Sequence, residues 1–195
     1  MPSNELDIEA VEELLGHRFA DRTLIERALT HRSAVETDRA AYERLEFQGD
    51  RVLALIVCDM LMEAFPNESE GALSKRLHAL VSRETLADVA GAIGLSEHLR
   101  LGGGEEVEAV QRRNPSILGD AVEAAIAALY RDGGLEAARG FIEAQWRGRL
   151  ERSAAPPKDP KSALQEWAMA RGLPLPSYDV VGSEGPAHAP IFTIE

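Results

Sequence analysis

The stretch Glu43-Arg44-Leu45-Glu46-Phe47-Gln48-Gly49-Asp50 sets three carboxylates at helical spacing. Residues three and four apart on a helix are neighbours, so Glu43, Glu46 and Asp50 project together while Leu45, Val52, Leu53 and Ile56 fall elsewhere. Like charges at that spacing oppose helix formation by roughly a few tenths of a kcal/mol per pair, a conflict that sequences tend to keep at functional sites. Taken alone, the segment fits a solvated acidic face, partly neutralised by Arg44 and Arg51, equally well.

A second segment shifts that balance. Ile117-Leu118-Gly119-Asp120-Ala121-Val122-Glu123-Ala124-Ala125-Ile126-Ala127-Ala128-Leu129 is apolar nearly all round, the pattern of a buried helix. Its only charges, Asp120 and Glu123, are three apart and share a face. A carboxylate inside an apolar helix must be paired, protonated or bound to metal. All the side chains concerned offer oxygen, and a hard oxygen set without Cys or His clusters suits Mg²⁺ or Mn²⁺ rather than zinc.

Glu43-Arg44-Leu45-Glu46-Phe47-x-Gly49-Asp50, followed by Leu118-Gly119-Asp120-Ala121-Val122-Glu123-Ala124, resembles the paired signature of bacterial ribonuclease III, the double-stranded RNA endonuclease. The flanking segments Gly16-His17-Arg18-Phe19, Ala28-Leu29-Thr30-His31-Arg32-Ser33, Phe65-Pro66, Gly71-Ala72-Leu73-Ser74 and Leu101-Gly102-Gly103-Gly104-Glu105-Glu106 are similar to that family in order and spacing. Gln48 departs from it, standing where the family usually has an aliphatic residue.

The resemblance implies a mainly α protein with an all-helical endonuclease domain. The implied activity is hydrolysis of double-stranded RNA to 5′-phosphate and 3′-hydroxyl ends with short 3′ overhangs. Its expected use is the processing of rRNA precursors and some mRNA and tRNA transcripts. The resemblance further implies Glu46, Asp120 and Glu123 as the main Mg²⁺ ligands, with Mn²⁺ as a substitute. Asp50 would orient or deprotonate the attacking water, and Glu123 would share the catalytic work. Glu43 and Glu70 match acidic positions at the edge of the catalytic valley and are secondary. A homodimer is implied too, since a two-fold enzyme can present one site to each strand of a duplex. Phe47, Val52 and Leu53 are candidates for that interface, with ordinary monomer core the competing assignment, and Gln48 is expected to weaken or reshape it.

Size and charge bound these expectations. At 195 residues the chain fits one domain and at most a second small one. A single cysteine excludes an internal disulfide framework, and Cys58 within Leu55-Ile56-Val57-Cys58 is expected in the core. The acidic start Met1-Pro2-Ser3-Asn4-Glu5-Leu6-Asp7 is no secretory signal, and no stretch is long enough to cross a bilayer, so a cytoplasmic protein without a membrane partner is expected. The net charge of −12 argues, taken naively, against a nucleic-acid partner. A site made of carboxylates itself lowers the total, however, and bound Mg²⁺ would reverse the sign locally.

Periodicity predicts a first helix from an Asp7 cap to Gly16, then helices over about 22–32, 39–64, 71–81, 83–92, 107–112, 115–131 and 134–152. Strand-like alternation is absent there. Gly49 would let another helix approach closely. His31 is expected to pack or cap locally, and Gly102 to Gly104 to form a turn, because Glu105 and Glu106 would repel phosphate.

A catalytic domain is expected over 1–153, a proline-containing linker over 154–158 and a second domain over 159–195. In the last, Asp159 caps a helix with Pro160 in its first turn, and Tyr178 to Val181 and Ile191 to Ile194 read as strands. This order resembles the opening half of an α-β-β-β-α double-stranded RNA-binding domain, whose third strand and basic second helix would come after Glu195. By that match, Ser162, Gln165, Glu166 and His188 are candidates for contacts in the RNA minor groove. Residues 154–195 carry three basic residues against five acidic ones, so these residues are not expected to supply the phosphate clamp of that domain. One helix and a hairpin rarely supply enough core, and the segment is expected to be mobile or to lean on a neighbour.

Two other classes compete: a non-catalytic RNA-binding scaffold of the same fold, and a helical phosphohydrolase acting on nucleotides. The first is disfavoured because all four acidic positions of the signature are present, the second because no convincing His-Asp ligand pair occurs.

Overall fold

Residues 6–35, 42–152, 160–185 and 191–194 are described in the computed structural model of the chain. It divides into two units, Met1–Pro156 and Pro157–Glu195.

The first unit is helical. Helices α1 (Ile8–Leu15), α2 (Arg22–Ala28), α4 (Glu70–Leu80) and α5 (Arg83–Ala92) each begin behind an Asp or Ser whose side chain accepts from a first-turn amide: Asp7, Asp21, Ser69 and Ser82. Such caps satisfy amides that have no partner inside the helix. Helix α3 (Glu43–Ala64) and the long α7 (Pro115–Arg152) form the centre, with α6 (Glu105–Gln111) between α5 and α7 in the chain.

Helix α3 buries Leu45, Gly49, Val52, Leu53, Ile56, Val57 and Leu61. Opposite it, Ala121, Val122 and Ala124 through Leu129 of α7 are completely buried. The alanines of α7 bring its backbone near the neighbouring rods, and at Gly49 the approach reaches its limit. A Cβ there would lie 1.7 Å from the carbonyl oxygen of Glu123. Main chain meets main chain at this crossing.

The break expected between 131 and 134 is real. Helix α7 bends at Gly134, whose φ of 72° suits glycine, and its second half docks through buried Trp146. The Trp146 indole N–H donates to the Leu80 carbonyl at 2.8 Å, which fixes the end of α4.

Two expectations about the helices need correction. Helix α2 stops at Ala28 rather than near residue 32. The Thr30 hydroxyl donates back to the Glu26 carbonyl at 2.6 Å, and the following chain bridges to Arg100 instead. There Arg100 N–H donates to the Leu29 carbonyl at 2.8 Å and His31 N–H to the Arg100 carbonyl at 3.0 Å, a strand-like bridge that short-range alternation did not reveal. Cys58 is exposed, not in the core. The buried phase of α3 through Leu53, Ile56, Val57 and Leu61 leaves Phe47, Leu55, Cys58 and Met62 on the outer side. Of the interface candidates, Val52 and Leu53 lie in the core, and Phe47 alone is at the surface, 68% exposed.

In the second unit, α8 (Pro160–Met169) precedes an antiparallel hairpin of β1 (Val180–Glu184) and β2 (Ile191–Ile194). Val180 pairs with Ile194 and Glu184 with Ile191, with an irregularity between Val180 and Gly182. The strand starts two residues later than expected, at Val180 opposite Ile194. Asp159, the expected cap, lies outside those residues. Of the side chains described in this unit, Ala168 is the buried one, while Leu164, Trp167, Leu175, Ile191 and Phe192 are exposed.

Gly49→Ala should cost about 3 kcal/mol or more in urea unfolding, because backbone atoms cannot move aside as a side chain can. A variant as stable as the parent would show that α3 and α7 do not meet at this distance.

Candidate active site

Beside the Gly49 crossing lies a cleft of about 400 Å³, lined by Glu46, Asp50 and Arg51 of α3, Arg83 and Leu86 of α5, and Gly119, Asp120 and Glu123 of α7. Glu46 sits one turn before Gly49, and Glu123 supplies the carbonyl that Gly49 touches. The main-chain contact therefore delivers the side chains. One carboxylate oxygen each from Glu46, Asp120 and Glu123 lies within 4.8 Å of the others, and all three residues are half-buried. Oxygens sharing one Mg²⁺ at about 2.1 Å lie no more than about 4.2 Å apart, so little closure separates this arrangement from a coordination shell. A donor set of hard oxygens with no Cys or His among them fits such a cation.

The carboxylates resist ionisation. Burial, with Glu46 and Asp120 adding to it, pushes Glu123 up to about 7, against the pull of Arg51 and Arg83. Burial also raises Glu46, reinforced by Asp120 and Glu43. Asp120 is raised by burial although Arg83, His31, Arg32 and a hydrogen bond from Tyr42 pull it down. Burial followed by the surrounding carboxylates pushes the Tyr42 phenol well above its ordinary range, which keeps it a proton donor toward Asp120. Negative charge in this cleft is undersatisfied by the chain itself, the condition that a divalent cation relieves.

The remaining expected residues are distributed unevenly. Asp50 lines the cleft but stands outside the group of three, its carboxylate paired with Arg51. Glu43 faces a neighbouring groove, and one of its carboxylate oxygens is buried without a hydrogen-bond partner among the described residues. Glu70 begins α4, is exposed, and does not line the cleft. His31 caps locally as expected, its Nδ1 accepting from the Ser33 amide at 3.2 Å. Gly102 donates its N–H to Ser33 Oγ at 2.9 Å, and Gly103 and Gly104 take φ of 114° and 85° just before α6. Ser162, Gln165 and Glu166 fall on α8, where Gln165 is half-buried and the side chains of the other two lie outside the described residues, as does His188 entirely.

Sequence reasoning missed Arg83 and Tyr42. No local periodicity marks Arg83. It reaches the cleft because Ser82 caps α5 and Leu86 packs at 3.6 Å from where a side chain on Gly119 would begin.

Residues 21–149 match the family model described as Ribonuclease-III-like, and residues 160–195 match the double-stranded RNA binding motif. The chain is 50% identical over 195 residues to Ribonuclease 3 of Azorhizobium caulinodans, covering 98% of this chain and 83% of that protein. It is also 50% identical over 188 residues to Ribonuclease 3 of Dinoroseobacter shibae, covering 96% and 82%. Among solved structures, the nuclease domain of ribonuclease III from Campylobacter jejuni superposes with a TM-score of 0.67 at 35% identity, covering 78% of this chain and 99% of that one. A second structure of that domain, concerned with flexibility in a region involved in dimer formation, gives 0.66 at 36% identity over 72% and 99%. Fold, acidic cleft and these similarities define an endoribonuclease that carries a double-stranded RNA-binding motif. The chain belongs to the ribonuclease III family.

Two pH effects of opposite sense follow from Glu123. Its folded pKa of about 7 exceeds the ordinary 4.5, so the metal-free protein should lose stability as pH rises from 4.5 through about 7. Affinity for a divalent cation should instead rise over that range and level off above it, with protons released on binding. Calorimetric Mn²⁺ titrations at several pH values check this, and an affinity unchanged across neutrality would contradict it.

Proposed function

We propose that the chain hydrolyses double-stranded RNA with Mg²⁺ held by Glu46, Asp120 and Glu123, Mn²⁺ serving as a substitute, and leaves 5′-phosphate and 3′-hydroxyl ends with short 3′ overhangs. The observation that carries this reading is the convergence of three half-buried carboxylates from two helices within 4.8 Å. When bound, the ion supplies Lewis-acid stabilisation of the phosphate and a water of lowered pKa. Asp50, which lines the same cleft, would orient the attacking water or accept its proton. Glu123 shares the work, because its place in the cleft lets it reach ion and water alike. Tyr42 steadies Asp120 through its hydrogen bond. Glu43 and Glu70 take secondary electrostatic roles at the periphery.

The reading extends to a homodimer. A groove lined by Phe47, Val52, Leu55, Tyr130 and Leu135 adjoins the cleft, and exposed Phe47 is the apolar side chain best placed to enter the same groove of a second copy. Gln48 is held on the groove's wall by Arg131, whose guanidinium donates to its Oε1 at 3.1 Å. The catalytic domain of this reading spans 1–153, the linker 154–158 and the RNA-binding domain 159–195, where Ser162, Gln165, Glu166 and His188 contact the minor groove. The enzyme acts in the cytoplasm on rRNA precursors and on some mRNA and tRNA transcripts. Among the described residues, no helix is long and apolar enough to cross a membrane.

Glu123→Gln removes a ligand charge at almost constant shape. Cleavage of a perfect RNA duplex should fall at least about a thousandfold, about 4 kcal/mol of barrier, while Ca²⁺-supported duplex binding persists. Equal cleavage by the variant would remove the catalytic assignment. Phe47→Ala should move the protein from dimer to monomer in gel filtration at micromolar concentration, and a parent protein that is already monomeric there would refute the dimer.

A further inference from the structure

The acidic cleft poses a problem for its own substrate. Glu46, Asp50, Asp120 and Glu123 line it, and a phosphodiester brings another negative charge. Bound cations offset part of this repulsion, yet a polyanion also needs fixed positive groups to hold its register. Two guanidiniums line the cleft, those of Arg51 and Arg83. Arg51 is engaged: it pairs with Asp50 and lies over the Phe47 ring, 5.0 Å from the centroid. Arg83 is exposed and makes no hydrogen bond or ion pair among the described residues.

We propose that Arg83 receives a phosphate of the RNA strand lying in this cleft, and so positions that strand against the carboxylate group; this rests on the reading of the cleft as the cleavage site.

Local structure favours that role. The Ser82 hydroxyl oxygen accepts from the Thr85 amide at 3.2 Å, which fixes the start of α5 and hence the point where Arg83 leaves the backbone. The Arg83 stem runs beside α7, its Cγ 3.8 Å from where a Cβ on Gly119 would lie, next to Asp120. That is ordinary packing distance, which sets the stem against the surface of α7. The head group is close enough for its charge to be felt by Glu46, Asp120 and Glu123 alike, yet it is committed to none of them. An anchored stem with an uncommitted planar fork is suited to bidentate capture of phosphate oxygens. Lysine offers only a point charge at the same place.

The test uses the full chain with Arg83→Gln and Arg83→Lys. Binding of a perfect RNA duplex in Ca²⁺ and single-turnover cleavage in Mg²⁺ are each followed as a function of salt. With glutamine, duplex affinity should fall about three- to tenfold, and the slope of log K against log salt should decrease by about one per site. With lysine, the slope should be retained while cleavage stays below the parent rate. Mn²⁺ affinity and melting temperature are measured in parallel. An unchanged salt slope in the glutamine variant overturns the proposal in every case: with altered Mn²⁺ affinity it makes Arg83 a modulator of the carboxylates, and with equal loss of melting temperature in both variants it makes Arg83 a packing residue. Failure of the underlying reading looks different, because Glu123→Gln would then cleave like the parent or the parent would not cleave at all. The Ca²⁺ binding arm still reads Arg83 in that event.

Discussion

A single close approach governs this molecule. At Gly49 the backbone of α3 rests on the backbone of α7 at the Glu123 carbonyl, with no room for a methyl group between them. The alanine-rich first half of α7 makes the approach possible, and the buried Leu53, Ile56, Ile126 and Leu129 hold it. Because main-chain atoms define the contact, the Cα atoms of Glu46, Asp120 and Glu123 are fixed by the fold rather than by their own side-chain interactions. The carboxylates can then stay frustrated, raised in pKa and short of positive partners, at a cost borne by the apolar packing around them.

The centre of the fold was legible because its signals are strong and local. Cap residues, apolar periodicity and the glycine of α3 all point the same way in the sequence, and the helical ranges agree with the structure to within a few residues there. The grouping of Glu46, Asp120 and Glu123 was legible because a charge set into an apolar helix is rarely stable without a partner or a cation. What was hidden depends on distant chain. The early end of α2 is set by Arg100, some seventy residues away in sequence. The exposure of Cys58 is set by the phase in which α3 meets α7, and an apolar neighbourhood in sequence does not reveal that phase. Arg83 belongs to the cleft only because α5 packs across Gly119.

The two units differ in how they satisfy their apolar residues. The first encloses a continuous core from Val11 to Leu150. In the second, most described apolar side chains of α8 and the hairpin remain at the surface, and its acidic residues outnumber its basic ones. This unit matches the double-stranded RNA binding motif in sequence.

The pairing of α3 with α7 also bears on biosynthesis. Glu46 leaves the ribosome well before Asp120 and Glu123, and the fully apolar stretch that completes the core comes only with the latter. A nascent chain shorter than α7 thus contains no assembled cleft, whatever helices it has already formed.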